Sequence, residues 1–322
     1  MAAAVADVVI TAASAVEDEL EFEIPSYFRY YRSGRVERIA GTDTVPASLD
    51  LTTGVDSRDI IIDTSTNISA RLYLPTSNSS DQKIPILLYL HGGGFCIESA
   101  ASPNYHRLLN TLSAAAPLLG ISLNYRLAPE HRPPAAYEDA WAAIQWVISL
   151  ADPWIARFGD LNRLFIAGDS AGGNIVHQLA MRLGAAGLRV KGMALIHPFF
   201  WGSEPVGLEP RDREFRDWMN RRWWFTFPGA VGLDDPRWNP TAEGAPSLAG
   251  LGCERVLVTV ADKDYLKYRG REYYERLKES GWKGVAEFVE TPAAGHVFHI
   301  LDHASEIAVK KVRILADFFG RD

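Results

Sequence analysis

The sequence predicts an α/β fold, with a mostly parallel central sheet flanked by helices on both faces. From residue 84 onward, apolar runs of strand length alternate with segments of helical spacing, an order that makes the strands parallel and carries helices across the sheet. Residues 84–90 are apolar at nearly every position, which is typical of an interior strand. The 322 residues, 47% of them hydrophobic, suffice for one such domain with an added cap. We therefore expect a single domain over residues 1–322.

The spacing of apolar residues assigns the individual elements. Residues 35–39 alternate like a strand, and residues 58–63 and 68–74 predict two antiparallel strands joined by a short turn. The later elements follow as helix 105–115, strand 118–124, helix 136–150, strand 164–167 with its helix, strand 191–198, strand 255–261, helix 268–280, strand 286–291 and helix 304–319. Two stretches lie outside this alternation. Residues 1–32 look like a mobile or capping extension, and residues 203–250 are rich in Trp, Phe, Arg, Pro and Gly.

Charge and composition argue against several classes of protein. A net charge of −7 disfavours a general nucleic-acid or anionic-membrane surface, because either would favour a basic patch. Two cysteines, Cys96 and Cys253, do not suggest a disulfide framework. The N-terminus lacks the basic segment of a secretory signal and the arginines of a transit peptide, and no run reaches the roughly 18 apolar residues of a membrane span. We therefore expect a cytoplasmic protein that binds neither nucleic acid nor membrane; its oligomeric state is left open.

The clearest functional signal is Gly168-Asp-Ser-Ala-Gly172, which fits Gly-x-Ser-x-Gly. It follows the apolar strand 164–167 and precedes a segment of helical spacing. Strand, sharp turn and helix are the context in which this motif predicts a nucleophile elbow, with Ser170 as the nucleophile. The following helix directs its amide N–H groups and positive dipole end toward that serine.

A serine hydroxyl is a weak nucleophile at neutral pH and needs a base, which in turn needs an orienting group. Two predicted strands downstream of Ser170 end in candidates for these roles. Asp262 and Asp264 follow one strand, and His296 and then His299 follow the next. Ligand and catalytic groups collect at strand C-termini in open α/β sheets, so we favour Asp264 as orienter and His296 as base. Asp262 and His299 remain the competing candidates.

A run of glycines, His91-Gly-Gly-Gly94, follows the predicted interior strand. Acyl transfer places negative charge on the former carbonyl oxygen, and glycines let backbone N–H donors approach that oxygen without a Cβ in the way. The amide of Ala171, next to the nucleophile, supplies another donor. A phosphate-binding loop is the rival interpretation, but neither Gly-Lys-Ser/Thr nor Gly-x-Gly-x-x-Gly is present. The other histidines have no partner pattern, and we predict neither metal nor organic cofactor.

Together these motifs resemble those of plant carboxylesterases of the hormone-sensitive-lipase-like group. The resemblance is carried by His91-Gly-Gly-Gly-Phe95, Tyr125-Arg-Leu-Ala-Pro-Glu-His131, Gly168-Asp-Ser-Ala-Gly-Gly-Asn174, Asp264 and Gly295-His-Val-Phe-His299, and it covers nearly the whole chain. It implies an α/β-hydrolase fold with a helical cap from residues 1–32 and 203–240. It also implies Ser170, Asp264 and His296 as the catalytic triad, and the amides of Gly93, Gly94 and Ala171 as oxyanion donors.

The predicted activity is hydrolysis of small carboxylic esters. For the substrate pocket we select residues beside the motifs and in the aromatic cluster of the cap: Phe95, Trp223, Trp224, Phe225 and Val297. Simple packing of the cap onto the body is the alternative role of that cluster. Two similar groups do other work: gibberellin receptors lack the triad histidine, and some 2-hydroxyisoflavanone dehydratases carry threonine at the nucleophile position. His296 disfavours the receptor and Ser170 favours the esterase over the dehydratase.

Overall fold

A computed structural model describes residues 18–78 and 82–321. Within these ranges the strands are β1 (Leu20–Ile24), β2 (Phe28–Tyr31), β3 (Val36–Arg38), β4 (Val55–Asp63), β5 (Ile68–Pro75), β6 (Ile84–Leu90), β7 (Leu119–Asn124), β8 (Gly159–Asp169), β9 (Val190–Ile196), β10 (Cys253–Ala261) and β11 (Val285–Thr291). The helices are α1 (Pro103–Ala115), α2 (Ala135–Ile148), α3 (Pro153–Phe158), α4 (Ala171–Ala185), α5 (Arg213–Thr226), α6 (Lys267–Glu279), α7 (Phe298–Leu301) and α8 (Glu306–Gly320). Each element predicted from the sequence is present, with ends shifted by a few residues.

Eight strands form one sheet in the order β11-β10-β9-β8-β6-β7-β5-β4. The pairs from β11 through to β7 are parallel, whereas β5 pairs antiparallel with both β7 and β4. The mostly parallel sheet and the antiparallel β4–β5 pair confirm the predictions. Strand β8, which leads to Ser170, lies between β6 and β9 near the middle of the sheet, so its C-terminal end is flanked by two neighbouring strand ends.

The packing of the core explains why β6 and β8 contain continuous runs of apolar residues. Successive side chains of a strand point to opposite faces, so a strand covered on both sides is apolar at every position. In β8, Leu164 and Ile166 pack under α2, α4 and α6, whereas Phe165 and Ala167 pack under α1 and α8. Every residue of β6 is buried. The sheet is therefore fixed from both sides just beneath the predicted site.

The N-terminal part of the cap is a sheet, not the expected helices. Residues 20–38 form the antiparallel strands β1, β2 and β3, and residues 1–17 of the predicted cap lie outside the described residues. The alternation in Leu20-Glu-Phe-Glu-Ile24 has the period of a strand, and this local pattern determines the structure. Within the second cap segment, 203–240, α5 is the helical element and was correctly expected.

Contacts from the N-terminal sheet tie it to the cap helix and the body. Phe22 stacks on Phe225 of α5 with ring centroids 4.1 Å apart. Arg38 donates hydrogen bonds to the carbonyl oxygens of Cys96 (2.7 Å) and Ala128 (3.1 Å) and forms an ion pair with Glu130 at 2.7 Å. These contacts hold the sheet over the loop that follows β6, at the C-terminal edge of the central strands.

Candidate active site

Ser170 occupies a sharp turn between β8 and α4. Its backbone has φ 51° and ψ −117°, a conformation that costs a non-glycine residue about 1–3 kcal/mol and must be imposed by its surroundings. The adjacent chain crowds closely: a Cβ on Gly172 would lie 1.9 Å from the carbonyl oxygen of Leu90. Only glycine fits there, and this close approach of α4 to β6 fixes the turn. The local geometry is that predicted for a nucleophile elbow.

Ser170, His296 and Asp264 form a continuous hydrogen-bonded line. His296 Nε2 lies 3.0 Å from Ser170 Oγ, and His296 Nδ1 lies 2.5 Å from Asp264 Oδ2. An ionised carboxylate only accepts hydrogen bonds, so this arrangement places the ring proton on Nδ1 and leaves Nε2 to accept from the serine hydroxyl. The three side chains come from the ends of β8, β10 and β11, strand positions that meet at one edge of the sheet.

Neither competing candidate, Asp262 or His299, forms a side-chain hydrogen bond with Ser170 or His296 in the described chain. Asp264 is buried and also accepts a hydrogen bond from the amide of Leu266 at 3.0 Å. Asp262 instead forms an ion pair with Lys267 at 2.7 Å, where its side chain is 48% exposed. His299 lies in α7 and is buried against the ring of His197, and neither of its ring nitrogens has a hydrogen-bond partner within the described chain.

The glycine loop after β6 presents free backbone amides beside Ser170. Gly93 has φ +98°, and a Cβ there would lie 2.3 Å from the carbonyl oxygen of Ile97, so the turn requires glycine. Within the described residues, the amides of Gly93, Gly94 and Ala171 donate no hydrogen bond. Gly93, Gly94 and Ser170 line the same cavity. Unpaired N–H groups at such a place suit an oxygen that acquires negative charge.

A buried network that the sequence did not reveal joins the glycine loop to the elbow. Tyr105 accepts a hydrogen bond from the amide of Gly92 (2.8 Å) and donates to Asp169 Oδ2 (2.9 Å), while Tyr89 donates to Asp169 Oδ1 (2.8 Å). Burial raises the pKa of Asp169 to about 6, against the opposing effect of the two tyrosine hydroxyls. No motif marks Tyr105, because its role depends on the packing of α1 beneath the loop.

His197, for which the sequence offered no role, supports the loop that carries the triad histidine. The amide of Val297 donates to His197 Nδ1 at 2.8 Å, and Val297 has a left-handed backbone with φ 45°. The amide of His197 itself donates to the carbonyl oxygen of Thr259 at 2.8 Å. Burial lowers the pKa of His197 well below its usual value, so the ring is neutral and Nδ1 stays an acceptor. The sequence feature that could have indicated a role for His197 is its position at the end of a predicted strand, where functional groups collect.

One group of side chains has ligand atoms close enough for a metal ion. In the described part of the chain, His197, Asp264 and His296 offer such atoms within 4.8 Å of one another. However, both nitrogens of His296 are engaged with Ser170 and Asp264, and Nδ1 of His197 is engaged with a backbone amide. Nε2 of His197 has no partner among the described residues, but a metal bound by His296 would have to break its hydrogen bond to Ser170 or to Asp264, so the donor set does not suit one.

A cavity of about 530 Å³ opens above Ser170 and His296. Its walls come from the N-terminal sheet, the glycine loop, the cap helix and the loops after β10 and β11. The residues that define it, besides the triad, include Ile24, Tyr27, Phe28, Gly93, Gly94, Ile97, Glu98, Asn104, Trp218, Arg222, Tyr265, Val297, Ile300 and Leu301. Most of these side chains are apolar, and the cavity is large enough for a small organic molecule.

Of the predicted pocket residues, only Val297 lines this cavity. Phe95 is buried beside Phe227 and Tyr137, and Trp223 is buried between other cap aromatics. Trp224 is 41% exposed on the outer surface of α5, and Phe225 packs under the N-terminal sheet. The prediction that these four residues line the substrate pocket is therefore wrong. The aromatic cluster mainly packs the cap, which was the alternative role considered for it.

Helical geometry explains which residues of α5 reach the cavity. Side chains four residues apart lie on one face of a helix, and Trp218 and Arg222 form such a pair facing the pocket. Trp223, one position later, is rotated by about 100° and faces the core. The orientation of this face depends on how α5 docks, which composition alone does not specify.

Residues 87–300 match the model of a family described as having the α/β-hydrolase fold. A probable carboxylesterase 2 of Arabidopsis thaliana is 47% identical over 305 residues, covering 94% of this chain and 97% of that protein. The chloroplastic tuliposide A-converting enzyme 1 of Tulipa gesneriana is 45% identical over 311 residues, covering 95% and 79%. The 2-hydroxyisoflavanone dehydratase of Glycyrrhiza echinata is 45% identical over 315 residues, covering 93% and 96%.

A solved structure with a similar fold is the hyperthermophilic esterase of the archaeon Pyrobaculum calidifontis. It superposes with a TM-score of 0.68 at 28% identity, covering 82% of this chain and 85% of that one.

The expectation of a cytoplasmic location is wrong. The tulip enzyme described above is chloroplastic, and a further relative from the same plant, 44% identical over 311 residues, is amyloplastic. The prediction rested on the composition of the first residues, which lie outside the described residues, and composition alone does not determine a compartment. Across the described chain, no helix combines the length and apolar character needed to cross a bilayer.

The matched family model, the eight-stranded sheet and the relatives all agree with the motifs in the sequence. They show that this chain is a carboxylesterase-type hydrolase belonging to the α/β-hydrolase family, in its plant hormone-sensitive-lipase-like group.

Proposed function

We propose that this protein hydrolyses small carboxylic esters through Ser170, His296 and Asp264, with an acyl-enzyme intermediate. The observation that carries the proposal is the hydrogen-bonded line of 3.0 Å and 2.5 Å between these three side chains, next to three unengaged amides. The esterase relatives and the largely apolar cavity support the same substrate class.

In the first half of the reaction, Ser170 Oγ attacks the ester carbonyl while His296 Nε2 accepts the hydroxyl proton. Asp264 holds the ring through Nδ1 and stabilises the imidazolium that forms. The carbonyl oxygen becomes negative, and the amides of Gly93, Gly94 and Ala171 donate hydrogen bonds to it. The C–O bond to the alcohol then breaks, and His296 returns the proton to the leaving oxygen.

In the second half, water attacks the acyl-serine ester. His296 accepts a proton from the water and later returns it to Ser170 Oγ, so the acid leaves and the enzyme is regenerated. His296 must be reachable by water at this stage, and its side chain is 34% exposed, in contrast to the buried Asp264.

A second candidate is a lyase that removes water from a hydroxyflavanone. The 45% identity to a 2-hydroxyisoflavanone dehydratase over nearly the full length of both chains favours it. In that case His296 and the unengaged amides would act on a carbonyl substrate without forming an acyl-enzyme. A gibberellin receptor is the less favoured alternative, because those receptors lack the histidine that lies beside Ser170 here.

Three measurements separate these functions. The esterase is supported if the wild type hydrolyses p-nitrophenyl acetate and Ser170→Ala lowers that rate by at least about 10³-fold. Labelling of Ser170 by a fluorophosphonate supports it as well. Retained turnover in a Ser170→Ala protein with an unchanged circular dichroism spectrum contradicts the assigned nucleophile. Water loss from a hydroxyflavanone, without ester turnover, supports the lyase. Tight gibberellin binding without labelling supports the receptor.

A further inference from the structure

Arg222 places a positive charge in the wall of the catalytic cavity. It lies on α5 one turn after Trp218, and both side chains face the space above Ser170. One guanidinium nitrogen, Nη2, lies 3.3 Å from where a Cβ would stand on Gly94, so it borders the glycine loop whose amide we assign to the oxyanion. A cation at this place borders the space above the glycine loop that a bound ester would occupy.

The guanidinium has no carboxylate partner. Across residues 18–78 and 82–321, Arg222 forms no ion pair with a carboxylate; its side chain interacts with the hydroxyl of Tyr265 and with two aromatic rings. Its Cζ lies 4.7 Å from the ring centroid of Trp218 and 5.3 Å from that of Phe199. Burial raises the pKa of Tyr265, and the Arg222 charge opposes that rise, which places the charge on the Tyr265 side of the cavity.

Three other arginines around the cap are neutralised by carboxylates, whereas Arg132 and Arg221 have no ion pair among the described residues but do not line the cavity. Arg216 and Arg269 both form ion pairs with Glu209, and Arg237 forms one with Asp235 at 2.5 Å. A partly buried charge without a counter-charge is unfavourable unless a ligand supplies one. Arg222 is the exception among these four, and it is the one that borders the catalytic cavity.

Two carboxylates also line the cavity, and neither neutralises Arg222. Asp169 is buried and hydrogen-bonded to two tyrosine hydroxyls. Glu98 lines the cavity but forms no ion pair with Arg222; its Cδ is 3.1 Å from where a Cβ would stand on Gly41. The cavity wall therefore carries a positive charge at Arg222 and a negative charge at Glu98 that do not pair with each other.

We infer that the preferred substrates are esters whose acyl group carries a second carboxylate, which pairs with Arg222 when the carbonyl occupies the oxyanion site. Guanidinium and carboxylate pair through two parallel hydrogen bonds, so the contact both binds and orients the acyl chain. The inference rests on the proposed esterase function, because it assigns the acyl group to this side of Ser170. Glu98 also lines the cavity, and its negative charge repels the same carboxylate, so it weakens the preference that Arg222 creates.

The test compares two esters that differ only in charge. Mono-ethyl succinate carries a free carboxylate, and ethyl 4-methylpentanoate replaces it with an isopropyl group of similar shape. Ethanol release gives kcat/KM for each ester with the wild type, Arg222→Met and Arg222→Lys. We expect the succinate-to-methylpentanoate ratio to fall about 10- to 100-fold in Arg222→Met, to be partly retained in Arg222→Lys, and to rise in Glu98→Gln.

An unchanged ratio in Arg222→Met overturns the inference, as does a fall in Glu98→Gln. A binding measurement keeps the result independent of catalysis: calorimetric titration of mono-ethyl succinate into Ser170→Ala should give weaker binding when Arg222→Met is added. Equal binding in the two proteins also overturns it. If no ester is turned over and Ser170 is not labelled, the proposed function fails, and the titration alone then decides the role of Arg222.

Discussion

Replacing Tyr105 with phenylalanine should separate the stability of the elbow from the positioning of the oxyanion loop. The change removes one hydroxyl that accepts from the amide of Gly92 at 2.8 Å and donates to Asp169 at 2.9 Å. The ring itself is retained, so its packing in the core under the sheet is largely preserved. Tyr89→Phe is the matched control, because Tyr89 donates to the other oxygen of Asp169 without touching the glycine loop.

The magnitude follows from the groups left unpaired. A buried N–H without a partner costs about 1–3 kcal/mol, and the amide of Gly92 begins the loop that holds Gly93 and Gly94. If about 2 kcal/mol of that cost is added to the activation free energy, because the loop is held less firmly around the oxyanion, kcat falls roughly 30-fold. Both tyrosine variants also take a donor from Asp169, so both should lower the free energy of unfolding by about 1–3 kcal/mol.

The assay is p-nitrophenyl acetate turnover, with urea unfolding at pH 5 and pH 7.5. We expect kcat to fall about 10- to 100-fold in Tyr105→Phe and less than about threefold in Tyr89→Phe. The pKa of Asp169, raised by burial to about 6, exceeds that of the unfolded chain, so its contribution to stability is present at low pH and lost as pH rises through 6. The hydroxyls of Tyr89 and Tyr105 favour the ionised form of Asp169, which dominates above pH 6. Each variant should therefore lose more stability at pH 7.5 than at pH 5. Equal kcat losses in the two variants would refute the positioning role of Tyr105.

Three further predictions test the surroundings of the triad. Asp264→Asn should lower kcat by about 10³- to 10⁴-fold and Asp262→Asn by less than about tenfold, and the reverse ranking in steady-state assays would move the orienter to Asp262. His197→Phe should lower kcat about tenfold by removing the acceptor for the amide of Val297, and His197→Asn should restore part of it with a pH profile closer to wild type; equal losses would contradict this role. Burial lowers the pKa of Lys311 from 10.5 to about 8, so Lys311→Met should stabilise the protein by about 3 kcal/mol at pH 7, and this gain should shrink as pH rises from 8 to 10.5; a pH-independent gain in unfolding experiments would contradict the account.

The order of strands and helices was predictable because it depends on local spacing. Continuous apolar runs at 84–90 and 164–167 indicated the interior strands. Glycines indicated the elbow and the loop after β6, because both are crowded turns with no room for a Cβ. The N-terminal cap was misjudged where the general expectation of a helical cap outweighed the strand alternation of residues 20–24. Local sequence was the better guide there.

The pocket wall was not predictable in the same way. Trp223 and Trp224 were chosen for their composition, but the docking angle of α5 turns Trp218 and Arg222 toward Ser170 instead. The supporting roles of Tyr105 and His197 depend on contacts between residues far apart in the chain, 64 residues for Tyr105 and Asp169 and 100 for His197 and Val297. No local pattern encodes such pairings.

The sequence by itself determined the class of fold and the chemical types that this family's chemistry requires: a serine at a glycine-flanked turn, a histidine and aspartate after later strands, and a glycine loop. Those features are local, because strand period and the steric demands of a turn act over a few residues. Only the tertiary structure decided which side chains face the cavity, which carboxylate meets His296, and which arginine borders the cavity without an ion pair. These outcomes depend on how helices dock on the sheet, and docking is fixed by the packing of the whole core.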